Sequence, residues 1–255
     1  MDDTDAAMSH APPSPSLLFV SALSRPALAG QYLLASECLA PGRQALVLWW
    51  NARSAAEAVN AVLDSRPQAS WVVWLHEDVR LPEGWDARFI AQLQQALLQW
   101  PNLAVAGVYG VAGAGPAARR AGHVLDRGKW LHEPAALPCA VDSLDELLLA
   151  VRTDSGLRLD PALGFDFYAT DLVLQAQQAG WTAAVLDAPC EHGSSSPRSG
   201  PMPRALVERF ERNGSAFERK WAHRLPLSTP CVDIARPGDV SAFARSFPIA
   251  GEAPE

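Results

Sequence analysis

Acidic and histidine side chains stand at the ends of several predicted strands, where they could bind a metal ion or carry a proton. Sites with few carboxylates hold Mg²⁺ or Mn²⁺ incompletely and leave positions for substrate phosphates. Imidazole joins such a shell more readily when the ion is Mn²⁺. The candidate residues are His76, Glu77, Asp78, Asp166, Asp171, Asp187 and His192.

The densest group lies in residues 71–85, WVVWLHEDVRLPEGW. Trp71–Leu75 is a short, continuous apolar run, which predicts a strand buried on both faces. His76, Glu77 and Asp78 follow it directly, and open α/β sheets bind ligands beyond the carboxyl ends of their strands. The alternative is a polar strand end, in which Asp78 caps a turn and His76 bonds to the backbone.

The surrounding elements alternate between strands and helices. This alternation predicts a parallel sheet with crossover helices. A capping box, Ser54 with Glu57, opens the second helix, while residues 141–152 fit a strand or a helix equally well. Apolar runs predict strands at 17–20, 45–50, 71–75, 103–108 and 182–187, and helical patterns appear at 28–39, 54–65, 86–100, 167–179 and 203–222.

Residues 107–122 are rich in glycine and alanine and are predicted to form a long loop. Loops of this length inside a compact domain are usually functional or mobile. Arg119 and Arg120 could contact phosphate if the loop covers a ligand. The alternative is a solvated surface loop.

The chain length of 255 residues fits one large domain or one domain with an appendage. We expect a disordered N-terminus at 1–15, a main domain at 16–200, a C-terminal helix and docking segment at 201–235, and a loose tail at 236–255. The N-terminal segment is acidic and rich in proline and serine, a composition typical of disorder.

Charge and cysteine content narrow the class of protein. The net charge of −7 and the pI near 5.4 argue against nucleic acid as a partner. The cysteines are far apart, which fits a reducing compartment. The sequence shows neither a signal peptide nor an apolar run approaching the ~18 residues of a membrane span. We therefore expect a cytoplasmic protein, with peripheral membrane contact left open.

Several known motifs are missing: the sequence contains neither the G-x-G-x-x-G nor the Walker phosphate loop, and no G-x-S-x-G elbow. Residues 17–229 instead resemble the family-2-like glycosyltransferases of the GT-A fold, in the nucleotide-diphospho-sugar transferase superfamily. The resemblance rests on the order and spacing of several segments. These are NARSAAEAVN, HEDVRLPEGW as a form of the D-x-D motif, the strand end at 107–110, VDSLDELLLAVR, GLRLDPALGFDFYATDLVLQAQQAGW, DAPCEH and FERKWAHRLP.

This resemblance implies a GT-A-type open, mainly parallel sheet with helices on both faces, plus a C-terminal helix. It also implies a hexosyltransferase-type enzyme that moves a sugar from a nucleotide-diphosphate donor to an acceptor hydroxyl, with inversion. The implied acceptor is a glycan or lipid-linked glycan of the bacterial surface type. Mn²⁺ or Mg²⁺ would stabilise the charge that grows on the diphosphate leaving group.

The resemblance also carries site residues over by position. Asp78 matches the last acid of D-x-D, the usual metal ligand, and His192 matches a histidine that can complete the metal shell. His192 could instead be a capping or core histidine. His76 replaces the first aspartate of the motif, as a ribose contact or a ligand. Glu77 and Asn51 would lie near the nucleotide.

The catalytic base is the main departure from the family pattern, because Ala169 stands where relatives usually carry that acid. An inverting enzyme needs a carboxylate that accepts the proton of the acceptor hydroxyl. Asp171 and Asp166 are the remaining candidates, although Asp171 could simply cap its helix. Two other functions stay open: a module that binds a sugar nucleotide or glycan without turnover, and a metal-dependent phosphohydrolase acting on nucleotides.

Overall fold

The structure is a computed structural model and describes residues 14–194 and 200–250. Short strands outnumber helices in this part of the chain. The strands are β1 (Leu17–Leu23), β2 (Ala45–Trp50), β3 (Trp71–Leu75), β4 (Val79–Arg80), β5 (Leu103–Gly107), β6 (Tyr109–Ala112), β7 (Arg119–Asp126), β8 (Lys129–His132), β9 (Cys139–Ala140), β10 (Ser143–Leu144), β11 (Leu148–Arg152), β12 (Thr182–Val185), β13 (Cys190–His192), β14 (Leu227–Ser228) and β15 (Asp233–Ile234).

The main sheet has 7 strands in the spatial order β2-β1-β3-β11-β5-β12-β9. Strands β2, β1, β3, β5 and β12 run in one direction, and β11 and β9 run against them. Strand β3 pairs with β1 and β11, and all of its side chains are buried. The predicted open, mainly parallel sheet is therefore confirmed.

A second sheet of 6 strands has the order β10-β6-β7-β13-β4, with β8 paired to β7. The predicted loop at 107–122 is wrong, because most of it forms the antiparallel hairpin β6–β7. The glycines allow this close pairing. A Cβ at Gly110 would overlap the main-chain oxygen of Ser143, and one at Gly122 would overlap that of Val108. Arg120 donates to the carbonyl of Pro230 at 2.9 Å.

Helices cover both faces of the main sheet, as predicted. The helices are α1 (Pro26–Gln31), α2 (Ala55–Asp64), α3 (Trp85–Gln99), α4 (Tyr168–Gln178), α5 (Arg204–Trp221) and α6 (Asp239–Arg245). Because side chains alternate along a strand, β3 contributes to both cores: Trp74 packs with α2 and α4, whereas Trp71 and Leu75 pack with α3.

Three local predictions are refined by the structure. The Ser54 hydroxyl accepts from the Glu57 N–H at 3.1 Å, but the Glu57 carboxylate accepts from the Arg53 N–H at 2.7 Å and not from Ser54. The ambiguous stretch 141–152 forms strands β10 and β11. The helix predicted at 28–39 is shorter, because α1 gives way to two 3₁₀ turns.

The C-terminal segment is more ordered than the loose tail predicted for 236–255. Helix α6 packs on α5, with Val240 and Ala244 fully buried. The buried Glu218 carboxylate holds its first turn by accepting from the N–H groups of Gly238 and Val240 at 2.9 and 2.8 Å. Residues 251–255, and 1–13 of the predicted disordered N-terminus, lie outside the described residues. In the part described, no helix has the length and apolar character needed to cross a bilayer.

Candidate metal and nucleotide site

A cavity of about 460 Å³ opens at the carboxyl ends of β1 and β3. This is the edge of an open α/β sheet at which ligands bind. Its lining combines two histidines, two acids and two arginines with small and aromatic side chains. The lining residues are Ala22, Ser24, Arg25, Ala52, Trp74, His76, Glu77, Asp78, Phe165, His192, Ser194, Leu206 and Arg209.

Three of the predicted ligands meet in this cavity. The chain turns directly after β3, with the Val79 N–H donating to the His76 carbonyl at 3.1 Å. Strand β13 then pairs His192 with Val79, so that His192 lies beside Asp78. Each of His76, Asp78 and His192 offers one ligand atom, and these atoms lie within 4.8 Å of one another. These three residues are therefore a possible metal-binding group.

Among the described residues, hydrogen bonding to a side chain involves only one ring nitrogen of His76, Nε2, and leaves Nδ1 available to a metal ion. The Tyr168 hydroxyl accepts from Trp74 Nε1 at 2.8 Å and donates to the Glu146 carbonyl at 2.7 Å. Because its single proton is used there, the Nε2 of His76, 2.9 Å away, must be the donor to this hydroxyl. Burial lowers the pKa of His76, which favours the neutral ring. In that ring Nε2 carries the proton and Nδ1 carries the lone pair.

His192 is oriented by a second carboxylate, Asp126 at the end of β7. Its Nδ1 lies 2.9 Å from Asp126 Oδ1, while its Nε2 lies 3.5 Å from Asp78 Oδ1. Metal-binding histidines commonly donate their other ring N–H to a carboxylate, which fixes the ring and raises its basicity. Burial lowers the pKa of His192, but the hydrogen bonds to Asp126 and Asp78 outweigh burial and raise the pKa to about 9.

Asp78 shows that the residues present fit a cation. Its side chain is buried, and its Oδ1 has no hydrogen-bond partner among the described residues. Burial raises the pKa of Asp78, but His192, His76 and Arg25 outweigh this effect and lower the pKa to about 2. Its nearest charged neighbours, Arg25 Nη2 and His192 Nε2, lie 3.5 Å away, and a bound cation would stabilise a buried, ionised carboxylate held this loosely. Two imidazoles with one carboxylate suit ions such as Mn²⁺.

Glu77 lines the cavity but has a structural role. Its carboxylate accepts from the N–H groups of Ser24 and Arg25, both at 2.9 Å, and from Ser24 Oγ at 2.7 Å and Arg25 Nε at 2.9 Å. These bonds hold the loop that follows β1. Arg25 Nη2 thereby comes within 3.5 Å of Asp78 Oδ2. Glu77 therefore positions Arg25, and its predicted contact with the nucleotide stays a prediction.

Asp171 does not reach the cavity. Its side chain is fully buried and accepts from Trp221 Nε1 at 2.7 Å and Gln175 Nε2 at 2.6 Å, and it pairs with Lys220 at 2.7 Å. These contacts tie α4 to α5. The structure therefore shows a structural role for Asp171 and no contact with the cavity, so it gives no support to the prediction that Asp171 is the base. Ala169 is likewise fully buried.

The other predicted residues lie around the cavity or away from it. Asp166 is buried behind Arg209, which donates to both carboxylate oxygens at 2.9 and 3.0 Å. Asn51, with a positive φ of 51°, is exposed next to the cavity residue Ala52. Asp187 pairs with Arg88 at 2.7 Å and does not line the cavity.

Sequence reasoning missed Asp126, Arg25, Tyr168 and Arg209. Asp126 immediately precedes Arg127-Gly128, which form the two-residue turn between β7 and β8 with φ values of 49° and 75°. An x-Gly pair between apolar runs is a hairpin signal, and it could have placed Asp126 at a strand end. The other three contact the site only through tertiary packing, and no local pattern marks them.

Comparison with known proteins gives no match to a family model. The chain is 32% identical to "ATP synthase subunits region ORF 6" of Fuscovulum blasticum over 136 residues. These residues are 50% of this chain and 53% of that protein, so the match spans about half the length of the curated relative.

Three solved structures align with the chain at low sequence identity and with TM-scores below 0.5. The mannosyltransferase PcManGT from Pyrobaculum calidifontis, solved with GDP-Man and Mn²⁺, is 13% identical with a TM-score of 0.48, covering 92% of this chain and 70% of its own. GalNAc-T7, solved with UDP, GalNAc and Mn²⁺, is 12% identical with a TM-score of 0.47, and the match covers 90% of this chain and 54% of GalNAc-T7. A197 from STIV is 13% identical with a TM-score of 0.41, and the match covers 68% of this chain and 82% of A197.

Proposed function

We propose that this chain is a glycosyltransferase that binds a nucleotide-diphospho-sugar and a divalent ion at His76, Asp78 and His192. The observation that carries the proposal is the grouping of His76, Asp78 and His192, whose ligand atoms lie within 4.8 Å of one another, around a buried Asp78 Oδ1 that has no hydrogen-bond partner among the described residues. A bound divalent ion would act as a Lewis acid toward the diphosphate leaving group. Mn²⁺ is proposed over Mg²⁺ because imidazole is a poor partner for Mg²⁺.

The residues of the chain supply orientation and charge. Asp126 holds His192 with its Nε2 toward Asp78, and Tyr168 holds His76 with Nδ1 free. Glu77 fixes Arg25, whose half-exposed guanidinium adds positive charge beside Asp78. Such charge favours binding of an anionic diphosphate. By its resemblance to family-2-like enzymes, the proposed reaction is inverting, with a cytoplasmic donor and a glycan or lipid-linked acceptor.

A specific observation favours a second function, a module that binds a sugar nucleotide without turnover. The acids that line the cavity are Glu77 and Asp78. Glu77 is committed to the loop after β1, and Asp78 is committed to the metal site. Asp166 and Asp171 are held in ion pairs. No lining carboxylate in the described residues is therefore available to deprotonate an acceptor.

The experiment that separates these functions is incubation with UDP- and GDP-sugars, Mn²⁺ and candidate glycan acceptors, followed by detection of released nucleotide. A transferase releases nucleoside diphosphate only when Mn²⁺ is present. Binding without release supports the module, and release of sugar phosphate or inorganic phosphate supports a phosphohydrolase. Asp78→Asn should abolish the release, whereas Asp64→Asn, on the exposed end of α2, should not.

A further inference from the structure

Arg209 forms part of the cavity wall and is not one of the proposed metal ligands. It lies on α5 and lines the cavity together with Phe165 and Leu206. Its Nε and Nη2 donate to Asp166 at 2.9 and 3.0 Å, and Asn213 donates to the same carboxylate at 2.8 Å. Asp166 and Asn213 are 6% and 5% exposed, so the guanidinium is anchored from behind.

Of the two residues in this ion pair, Arg209 is the one exposed to the cavity. The Arg209 side chain is 38% exposed, whereas that of Asp166 is 9% exposed. The bidentate pair uses one edge of the guanidinium, and the remaining N–H groups donate to no other described residue. A planar guanidinium with free N–H groups matches a carboxylate or a phosphate.

Arg209 enters the cavity from a different element than Arg25 and the proposed metal ligands, because it lies on α5. Arg25 and the metal ligands cluster at the ends of β1, β3 and β13. Arg209 is anchored through Asp166, which precedes α4, the region where an acceptor base is expected by resemblance. The cavity therefore offers a cation there, and the buried Ala169 and Asp171 offer no acid.

We propose that Arg209 binds a second anionic group, a carboxylate or phosphate carried by the donor sugar or by the acceptor. This inference rests on the proposed function. The aromatic and aliphatic neighbours Phe165, Trp74 and Leu206 suit the apolar face of a sugar ring next to that group. The chain is thereby selective for an acidic sugar, and Arg209 is the residue that confers the selectivity.

Calorimetry on the full chain with Mn²⁺ tests this inference in a donor arm. UDP and GDP are titrated first. If UDP binds, UDP-glucuronate is then compared with UDP-glucose. If GDP binds, GDP-mannuronate is compared with GDP-mannose. In an acceptor arm, methyl glucuronide is compared with methyl glucoside, and glucose 6-phosphate with glucose, at saturating nucleotide and Mn²⁺. We expect the acidic member to bind about tenfold tighter or more in one arm, and that arm identifies the source of the anion.

Variants assign the preference to Arg209. Arg209→Met should remove it while the affinity for the nucleoside diphosphate holds, and Arg212→Met, on the exposed face of the same helix, should leave it unchanged. If the Met variant fails to fold, Arg209→Lys is used instead, because it keeps a cation beside Asp166. Lysine lacks the planar, two-pronged guanidinium, so this variant should still reduce the preference severalfold.

Three outcomes would overturn the inference. Equal binding of acidic and neutral ligands in both arms would reject it while Mn²⁺-dependent nucleotide binding still supports the proposed function. A preference that survives in both Arg209 variants would reject the assignment to this residue, which then has only a structural role. Failure of both nucleotides to bind would reject the proposed function and this inference together.

Discussion

At the scale of single residues, Asp126 is the contact that most clearly supports the metal site without being a ligand. Asp126→Asn keeps the shape of the side chain but removes the charge that holds His192 Nδ1. Loss of such a carboxylate typically costs 10–100-fold in metal affinity, and we expect a Mn²⁺ dissociation constant about 10–100-fold higher. Titration of Mn²⁺ by calorimetry measures the change.

A remote aspartate provides the control for this prediction. Asp64→Asn removes one charge from an exposed position on α2, and its Mn²⁺ affinity should match that of the unmodified chain. Equal affinities for all three proteins would show that Asp126 does not orient the ligand.

Asp171 gives the opposite prediction, an effect on stability without an effect on binding. An amide at this buried position accepts at one atom only, so one of the donors Trp221, Gln175 and Lys220 would lose its partner. Asp171→Asn should therefore lower the free energy of unfolding by about 1–3 kcal/mol, as measured by urea denaturation. A variant of unchanged stability with lost transfer would restore Asp171 as a catalytic residue.

The sequence predicts the location of a site residue well where that residue follows a strand end. It predicts the location poorly where tertiary packing decides it. His76, Asp78 and His192 follow or end predicted strands, and the structure brings them together. Asp171 was expected to act on the acceptor, but its burial depends on Trp221 and Lys220, 50 or so residues further along the chain. Nothing local distinguishes a buried, paired acid at a helix start from a catalytic one.

At the scale of elements, the end of β13 depends on a close contact between Gly193 and Tyr32. A Cβ on Gly193 would overlap the ring of Tyr32, while the Gly193 N–H donates to the Asp78 carbonyl at 2.8 Å. Gly193→Ala should displace this strand end and weaken Mn²⁺ binding severalfold, because Gly193 follows the proposed ligand His192 and donates to the main chain of the proposed ligand Asp78.

A second substitution makes this prediction specific. Adding Tyr32→Ala removes the overlapping ring, and the double variant Tyr32→Ala/Gly193→Ala should recover most of the lost Mn²⁺ affinity. Gly30→Ala is a matched control, since a Cβ there meets no atom within 4 Å. If the double variant binds as weakly as Gly193→Ala alone, the steric explanation is wrong.

Helix α6 supports a prediction about the C-terminal segment. Removing residues from 236 onward exposes the surface under Val240 and leaves the buried Glu218 carboxylate without the N–H groups of Gly238 and Val240. Hydrogen bonds to charged groups contribute about 1.5–3 kcal/mol each. The truncated chain should lose at least about 3 kcal/mol of unfolding free energy in urea denaturation, whereas removal of 251–255 alone should cost little. An unchanged midpoint after the longer truncation would support a loose tail.

Elements with strong periodicity were predictable, and those made by pairing across the chain were not. The run Trp71–Leu75 and the repeat of Trp85, Phe89 and Leu93 gave β3 and α3 close to their observed bounds. The hairpin β6–β7 was hidden because its glycines, which normally indicate a loop, serve here to bring strands together. Such a use of glycine depends on the neighbouring strand and cannot be read locally.

At the scale of the whole molecule, the site forms where two sheets meet. Asp78 follows a strand of the main sheet, and His192 ends a strand of the second sheet, joined by the pairing of β13 with β4. The sequence predicted the open sheet and its helices, but it gave no indication of the second sheet. The chain is acidic, with a net charge of −7, yet Arg25 and Arg209 both line this cavity, which favours an anionic ligand there.

The central claim is that Asp78 holds a divalent ion on which nucleotide binding depends. Calorimetric titration of UDP and GDP into the chain, first with Mn²⁺ and then with excess chelator, tests it most directly, with Asp78→Asn measured alongside. We expect the nucleotide that binds to lose most of its affinity in chelator, and the variant to bind weakly in both conditions. Equal affinity with Mn²⁺ and with chelator, or an Asp78→Asn variant that retains Mn²⁺-dependent binding, would contradict the claim.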